Sequence, residues 1–227
     1  MNTCNPNVRE LLNTKAVIKQ EVFRKSKAYF KTLKKVVSAV ADNLSDETCN
    51  LNESVEIEYK EEGTFECELR FSGDILLFNM HTNIFTFDKG HPIWNTGYIK
   101  QDKSRAYFSV INIYNFLADS MRYNRKADEG VLLGRIFVNR EGHYFVEGKR
   151  QLSFMYNNLA GQTISDESLK NIVDTAIIYS LEFDLTVPEY KDVMRVSVGQ
   201  IQAMSDEIQI KTAKKIGMGY YTRMTHE

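Results

Sequence analysis

Cysteine is scarce in this chain of 227 residues, which contains only Cys4, Cys49 and Cys67. Their number is odd and their spacing is not that of metal ligands, so neither a disulfide framework nor a zinc knuckle is expected. Free cysteines are typical of a reducing compartment, and the sequence therefore predicts a cytoplasmic protein.

Long apolar runs are missing as well. No segment approaches the roughly 18 apolar residues that a helix needs to span a bilayer, and residues 1–15 lack the apolar stretch of a secretory leader. The sequence has no Gly-rich phosphate loop, His-Glu-x-x-His zinc helix or Gly-x-Ser-x-Gly nucleophile elbow. We therefore expect no membrane partner and no cofactor, and no motif specifies a reaction.

The chain does contain enough apolar material for a core, and its charge is unevenly distributed. Hydrophobic residues make up 43% of the chain, and the net charge is −1. Residues 1–44 carry nine Lys/Arg against three Asp/Glu, whereas residues 45–70 carry nine acidic residues against two basic ones. The small net charge does not direct the protein to nucleic acid, but the asymmetry favours contact between oppositely charged surfaces.

Residues 1–45 predict one long amphipathic helix. Its apolar residues recur at the helical period, at Leu11, Ile18, Val22, Tyr29, Leu33, Val36, Val40 and Leu44. The opposite, basic face carries Lys19, Lys27, Lys31, Lys34 and Lys35. Because a helix of this length extends past a small sheet, we expect part of its apolar stripe to contact a partner or a second copy of the chain.

Residues 54–60 and 65–71 alternate apolar and charged side chains, which is typical of a half-buried hairpin. A three-residue loop at 61–63, with Gly63 in a left-handed conformation, sets the expected register. The expected pairs are Tyr59–Phe65, Ile57–Cys67, Val55–Leu69, Glu56–Glu68 and Glu58–Glu66.

Two further turns extend this hairpin into a meander. A two-residue turn at Ser72-Gly73 predicts the pairs Leu69–Leu76, Cys67–Phe78 and Phe65–Met80. A turn at Thr82-Asn83 predicts a fourth strand, with the pairs Met80–Phe85 and Phe78–Phe87. All the large side chains then share one face, against which the first helix is expected to pack.

The rest of the chain completes an α+β prediction. Residues 106–125 run from a strand into a middle helix, and 131–139, 142–148 and 150–156 are three more strands. A helix begins at an N-cap on Ser165, and a last helix covers about 199–215. The expectation is one domain, 1–227, with a long N-terminal helix (1–45), an antiparallel meander sheet of about seven strands interrupted by a middle helix (46–160), and two C-terminal helices with a tail (161–227).

Four segments resemble an uncharacterised family of conserved bacterial proteins. They are NMHTNIFTFD (79–88), HPIW (91–94), INIYNFLADS (111–120) and RIFVNREGHYFVEGKRQL (135–152), and the likeness covers most of the chain. The resemblance implies a bacterial protein. Since that family has no assigned activity or ligand, it implies no functional residue.

The polar face of the predicted meander is the candidate binding surface. It carries Glu56, Glu58, Glu66 and Glu68, flanked by Asn79, His81 and Asp88. Like charges directly opposite each other destabilise a sheet by about 0.2–1 kcal/mol per pair. A face that carries two such pairs therefore suggests a binding function. Three alternatives remain open: splayed solvated side chains, a basic protein surface such as the lysine face of a second subunit, or a hard cation.

The closely spaced His81, Asp88 and His91 do not predict a metal site. The register places His81 and Asp88 at opposite ends of the predicted strand, and a zinc site requires three or four convergent ligands. We interpret His81 as a turn residue and Trp94 as an anchor that holds a loop to the core.

Two weaker patterns have both a functional and a structural interpretation. Glu147-Gly148-Lys149 with Asp128 or Glu129 matches the minimal pattern of Mg²⁺-dependent nucleases, but also an ordinary hairpin turn. The aromatic strands 135–139 and 142–148 are similar to those that stack RNA bases, but also to alternating core aromatics.

The function expected from these features is a non-catalytic binding or scaffold protein that acts through protein–protein contacts, including self-association as a homodimer. One alternative is a metal-dependent hydrolase or nuclease that uses clustered carboxylates. Another is a nucleic-acid-associated protein that uses the basic helix. A concave polar pocket lined by His143, Arg135 or Tyr144 would be a further candidate site, and the sequence does not indicate whether a small molecule is bound.

Overall fold

The computed structural model describes residues 5–49, 55–126, 128–183, 187, 189–199 and 201. Within these residues the fold is α+β, as predicted. One antiparallel sheet has its strands in sequence order, and the sheet contains six strands where about seven were predicted. The strands are β1 (Ile57–Glu61), β2 (Glu66–Phe71), β3 (Asp74–Met80), β4 (Phe108–Leu117), β5 (Val131–Asn139) and β6 (Tyr144–Gly148).

Helices precede the sheet, interrupt it and follow it. They are α1 (Pro6–Leu11), α2 (Val17–Cys49), α3 (Gly97–Gln101), α4 (Ala118–Arg122), α5 (Gln151–Phe154), α6 (Asp166–Leu181) and α7 (Tyr190–Val193). A π-helical turn at Leu12–Ala16 joins the first two, so the predicted N-terminal helix is present and extends to Cys49. No described helix is both long enough and apolar enough to cross a bilayer.

The main core lies between one face of the sheet and the two long helices. The sequence predicted the strand residues of this core correctly in β2 and β3, and Phe30, Val37 and Ala41 of α2 join the predicted helical stripe. The predicted N-cap of α6 is confirmed, because Ser165 accepts a hydrogen bond from the Ser168 N–H. The helix packs against the core with Leu169, Ile172, Val173, Ala176 and Ile177. Leu11, by contrast, is 59% exposed, since the helix extends beyond the sheet there.

The register of the first hairpin was predicted wrongly, whereas that of the second is confirmed. The Ser72-Gly73 turn pairs Leu69 with Leu76 and Cys67 with Phe78 as expected. The β1–β2 pairs are instead Ile57–Phe71, Glu58–Arg70, Tyr59–Leu69, Lys60–Glu68 and Glu61–Cys67. Gly63 does have a positive φ of 74°, in a longer loop than predicted.

The fourth strand predicted after the Thr82-Asn83 turn is also wrong. After β3 the chain leaves the sheet, and β3 pairs with β4 instead. Phe85 forms only an isolated bridge with Phe108, and Phe87 packs on the opposite face of the sheet from Phe78. The two phenylalanines therefore lie outside the main core.

The segment between β3 and β4, which we term the crossover segment (81–107), covers part of the second face of the sheet. It buries Ile93 and Ile99 against Phe108 and Phe137, forming a second apolar cluster. Trp94 fixes the segment by donating from Nε1 to the Asp88 carbonyl oxygen at 2.9 Å. The predicted role of this tryptophan as a loop anchor is confirmed.

The middle and C-terminal elements agree with prediction in part. Residues 106–125 do run from a strand into a short helix, and 131–139 and 144–148 are strands. Residues 150–156, predicted as a strand, contain the short helix α5 instead. The predicted last helix at 199–215 lies almost wholly outside the described residues.

Candidate functional site

The face of the sheet opposite the main core remains partly exposed beyond the crossover segment, and we term it the open face. A row of polar side chains crosses it on neighbouring strands, because each member pairs directly with the next in the ladders. This polar row consists of Glu66, Asn79, Asn112, Arg135 and Glu147. A carboxylate thus stands at each end, with amides and one guanidinium between them.

A cavity of about 380 Å³ opens at the middle of the open face, which we term the open-face cavity. Its size lies at the small end of the range that is typical of ligand sites. The lining consists of His81, Phe85, Thr86, Phe87, Val110, Asn112, Tyr114, Leu132, Arg135 and Phe137. Among the described residues this lining contains no Asp or Glu, so its one permanent charge there is the Arg135 cation.

A β-bulge determines which side chains of β5 reach this cavity. The β4–β5 ladder pairs Ile113 with Gly134 but Tyr114 with Leu132, so Leu133 is the extra residue. Leu133 turns into the main core, whereas Leu132 and Arg135 both line the cavity although they are three residues apart. Strict alternation along a strand would have placed them on opposite faces.

Arg135 is held at the cavity by two contacts. Its Nε donates to Glu147 Oε2 at 2.9 Å, and its Nη2 donates to the same oxygen. The guanidinium carbon lies 5.4 Å from the centre of the Phe137 ring, which is a cation–π distance. The ion pair is open to solvent, with side-chain exposures of 41% for Arg135 and 58% for Glu147, and Nη1 has no partner among the described residues.

The other polar groups of the lining are also available to a ligand. His81 Nδ1 accepts from the Asn83 N–H at 3.0 Å, which leaves its Nε2 with the proton, as a donor. The Asn112 amide and the Tyr114 hydroxyl form no side-chain hydrogen bond within the part of the chain that the structure describes. Donors therefore predominate around an aromatic floor.

The predicted acidic face is compensated by neighbouring cations. Glu58 lies opposite Arg70, and Glu56 forms an ion pair with Arg70 at 2.9 Å, so the expected pairs of facing glutamates do not exist. Glu68 lies opposite Lys60, and Glu66 accepts from Asn79 Nδ2 at 2.9 Å. Burial nevertheless raises the pKa of Glu68, against an opposing contribution from Lys60.

Asp88 and His91 do not belong to this face. Both lie in the crossover segment, where the Asp88 carbonyl oxygen accepts from Trp94 and the His91 ring stacks on Phe87 at 4.3 Å. His91 also caps the short 3₁₀ helix Pro92–Asn95, since its Nδ1 accepts from the Ile93 N–H. The prediction that placed Asp88 on the sheet fails because the predicted fourth strand is absent.

The predicted basic face of the first helix is interrupted at one position. Lys27, Lys31 and Lys35 are exposed and Lys19 is partly exposed. Lys34 instead is buried against the first hairpin, where its Nζ lies 2.7 Å from Glu61 Oε1 and also donates to the Gly63 carbonyl oxygen. Lys34 lies on the buried side of the helix, next to Leu33 and Val37, which are both fully buried.

Two carboxylates of the nuclease pattern each bond to a different side chain of the protein. Glu147 pairs with Arg135, and Asp128 accepts from Ser120 Oγ at 2.7 Å. Among the described residues, no cluster of three or more His, Cys, Asp or Glu side chains could hold a metal ion. The aromatic strands are core elements: Phe137 and Phe145 stack at 4.8 Å beneath the crossover segment.

Of the three residues named for a concave polar pocket, only Arg135 lines the open-face cavity. His143 packs on Tyr98 at 4.6 Å, and Tyr144 belongs to the main core. Sequence reasoning missed Asn112, Tyr114 and Leu132. The β5–β6 turn could have revealed the Arg135–Glu147 pair, but the bulge has no sequence signal of its own.

No protein-family model, curated protein or solved structure matches this chain.

Proposed function

We propose that this protein is a binding protein that engages another protein through the open face of its sheet. In this proposal the open-face cavity holds one bulky side chain of the partner. The observation that supports this proposal most directly is a cavity with an aromatic floor and available hydrogen-bond donors. It lies in a part of the sheet face that the crossover segment leaves uncovered.

A protein partner is favoured over an isolated small molecule by what surrounds the cavity. The polar row extends from the cavity to both sides, and Arg70 and Lys60 alternate with glutamates on the neighbouring strands. Phe85 and Leu132 at the lining are 39% and 37% exposed, so apolar area is presented together with an extended charged surface. An aromatic anchor within a polar rim is the usual composition of a protein-binding surface.

The proposal is tested by selecting peptides from a random library displayed on phage against the folded protein. Selected peptides are synthesised with a fluorescent label, and their affinities are measured by fluorescence polarisation. We expect enrichment of peptides with an aromatic or large aliphatic residue, and loss of their binding to Leu132→Glu, which places a charge in the cavity lining.

Ile178→Glu is the matched control, because Ile178 is a 55% exposed residue of α6, a helix packed on the opposite side of the sheet. It introduces the same charge away from the open face and should leave affinity unchanged. The proposal is overturned if no peptide is enriched, or if the selected peptides bind Leu132→Glu and the unaltered protein equally well.

A further inference from the structure

We infer that the open-face cavity recognises a carboxylate two residues from a bulky apolar side chain, in an extended segment of the partner. This inference rests on the proposed function and specifies the partner's chemistry. The cavity binds a peptide segment: Arg135 binds the carboxylate, and the aromatic floor contacts the apolar side chain.

The charge of the lining determines the sign of the ligand. Among the described residues of the lining, Arg135 is the only Lys or Arg and there is no Asp or Glu, since its ion-pair partner Glu147 lies outside the lining. His81 presents an N–H, and the Asn112 amide and Tyr114 hydroxyl can both donate. A group rich in acceptor oxygens satisfies all of these donors, whereas a cation would meet repulsion from the guanidinium.

Arg135 can exchange its present partner for an incoming carboxylate. Both of its bonds to Glu147 end on one oxygen, so the pair is not the two-oxygen fork that arginine and carboxylate can form. The pair is exposed to solvent, and exposed ion pairs contribute little stability. A ligand carboxylate in the cavity would be less hydrated and could meet Nη1, so it competes well with Glu147.

The spacing of the ligand groups follows from the spacing along β5. Arg135 and Phe137 are two residues apart on the same face, and both line the cavity. An extended peptide also places residues two apart on one face, about 6.6 Å from each other. The matching segments are therefore Asp-x-Phe and Phe-x-Asp.

The test compares labelled peptides Gly-Ser-Asp-Ser-Phe-Ser-Gly and Gly-Ser-Phe-Ser-Asp-Ser-Gly with their Asn counterparts by fluorescence polarisation. We expect at least one Asp peptide to bind the unaltered protein about fivefold more tightly than its Asn counterpart. In Arg135→Gln this ratio should fall to about one, because the charge that distinguishes the two peptides is gone.

Glu147→Gln distinguishes an arginine that binds the ligand from one that only stabilises the fold. Removing the competing carboxylate should increase the affinity for the Asp peptide about threefold and leave the affinity for the Asn peptide unchanged. Glu56→Gln is the matched control, since it removes a comparable exposed ion pair, with Arg70, outside the cavity lining. It should change neither affinity.

The outcomes separate this inference from the proposed function. If library-selected peptides bind through the cavity but Asp and Asn peptides bind equally, or the ratio survives Arg135→Gln, the inference is wrong and the proposed function stands. If no peptide binds while phenylacetate shifts the Arg135 side-chain resonances in NMR spectra, the carboxylate comes from a small molecule, and both are overturned.

Discussion

Lys34 shows how a single residue can depart from the pattern of its helix. Periodicity placed it with the exposed lysines, but its side chain is only 8% exposed and contacts Glu61 and the Gly63 carbonyl oxygen. Burying an ammonium group is costly unless such acceptors are fixed beside it. The helix pattern contains no information about the position of those acceptors, since they belong to the first hairpin, 27 and 29 residues away in sequence.

We therefore expect Lys34→Ala to lower the free energy of unfolding by about 2 kcal/mol, since it removes charged hydrogen bonds and buried methylenes. Urea denaturation followed by circular dichroism measures the change. Lys35→Ala is the control, because Lys35 is exposed on the same turn and its loss should change stability by less than about 0.5 kcal/mol. Equal effects of the two substitutions would contradict a stabilising role for the buried Lys34 contacts.

Glu68 gives the sheet a defined dependence on pH. Burial raises the pKa of its carboxyl in the folded protein, so the ionised form is disfavoured by folding. The cost is absent below the unfolded pKa and grows as the pH rises through the folded pKa.

Glu68→Gln should therefore raise the free energy of unfolding at about pH 7 and have no such advantage at about pH 3. Denaturant titrations of both proteins at several pH values measure the difference. Glu58→Gln removes a carboxylate that is exposed opposite Arg70 and should give no gain at either pH. A gain for Glu68→Gln that is equal at all pH values would show that packing, not ionisation, is responsible.

At the scale of single elements, α6 was the most predictable part of the chain. Ser165 and Ser168 form a reciprocal capping box, and acidic Asp166 and Glu167 occupy the first turn. The N-cap signal at Ser165 is local in sequence, which is why it identified the start of the helix without knowledge of its neighbours.

Ser165→Ala should lower the free energy of unfolding by about 1 kcal/mol, because it leaves a helix N–H without its acceptor. Thermal and urea unfolding both measure this loss. Asn171→Ala, at an exposed position of the same helix, serves as the control and should be neutral or slightly stabilising. A neutral Ser165→Ala would mean that water replaces the cap at no cost.

The first hairpin shows the limit of element-level reasoning. Alternation correctly assigned which side chains face the core, but a shift of four residues preserves that alternation and changes every partner. The observed register replaces two expected pairs of facing glutamates with Glu58–Arg70 and Lys60–Glu68. The repulsion that suggested a binding function was therefore a sign of the wrong register.

For the whole molecule, the N-terminal helix extends beyond the body that it stabilises. Residues 5–15 are all exposed, whereas Val22, Leu33 and Val37 of the same helix are fully buried. The charge asymmetry of the chain is partly satisfied internally, because the helix meets the acidic hairpin at the Lys34–Glu61 pair.

Deleting residues 1–15 should therefore shift Tm by less than about 2 °C, since exposed helical turns contribute little to stability. Differential scanning calorimetry of the full and shortened chains, at equal concentration, measures the shift. Deletion through residue 25, which also removes the buried Val22, should lower Tm clearly. A large loss on deleting residues 1–15 alone would show that they contact something in solution, such as a second copy.

The sequence by itself determined the α+β class, the core faces of the strands, the register at the Ser72-Gly73 turn and the start of α6. Each of these depends on periodicity or on residues a few positions apart. Only the tertiary structure decided the β1–β2 register, the route of the crossover segment, the burial of Lys34 and the bulge that brings Leu132 to Arg135. Each of those depends on contacts between distant segments, whose free energies local patterns do not encode. Two of them, the route of the crossover segment and the bulge, together form the open-face cavity.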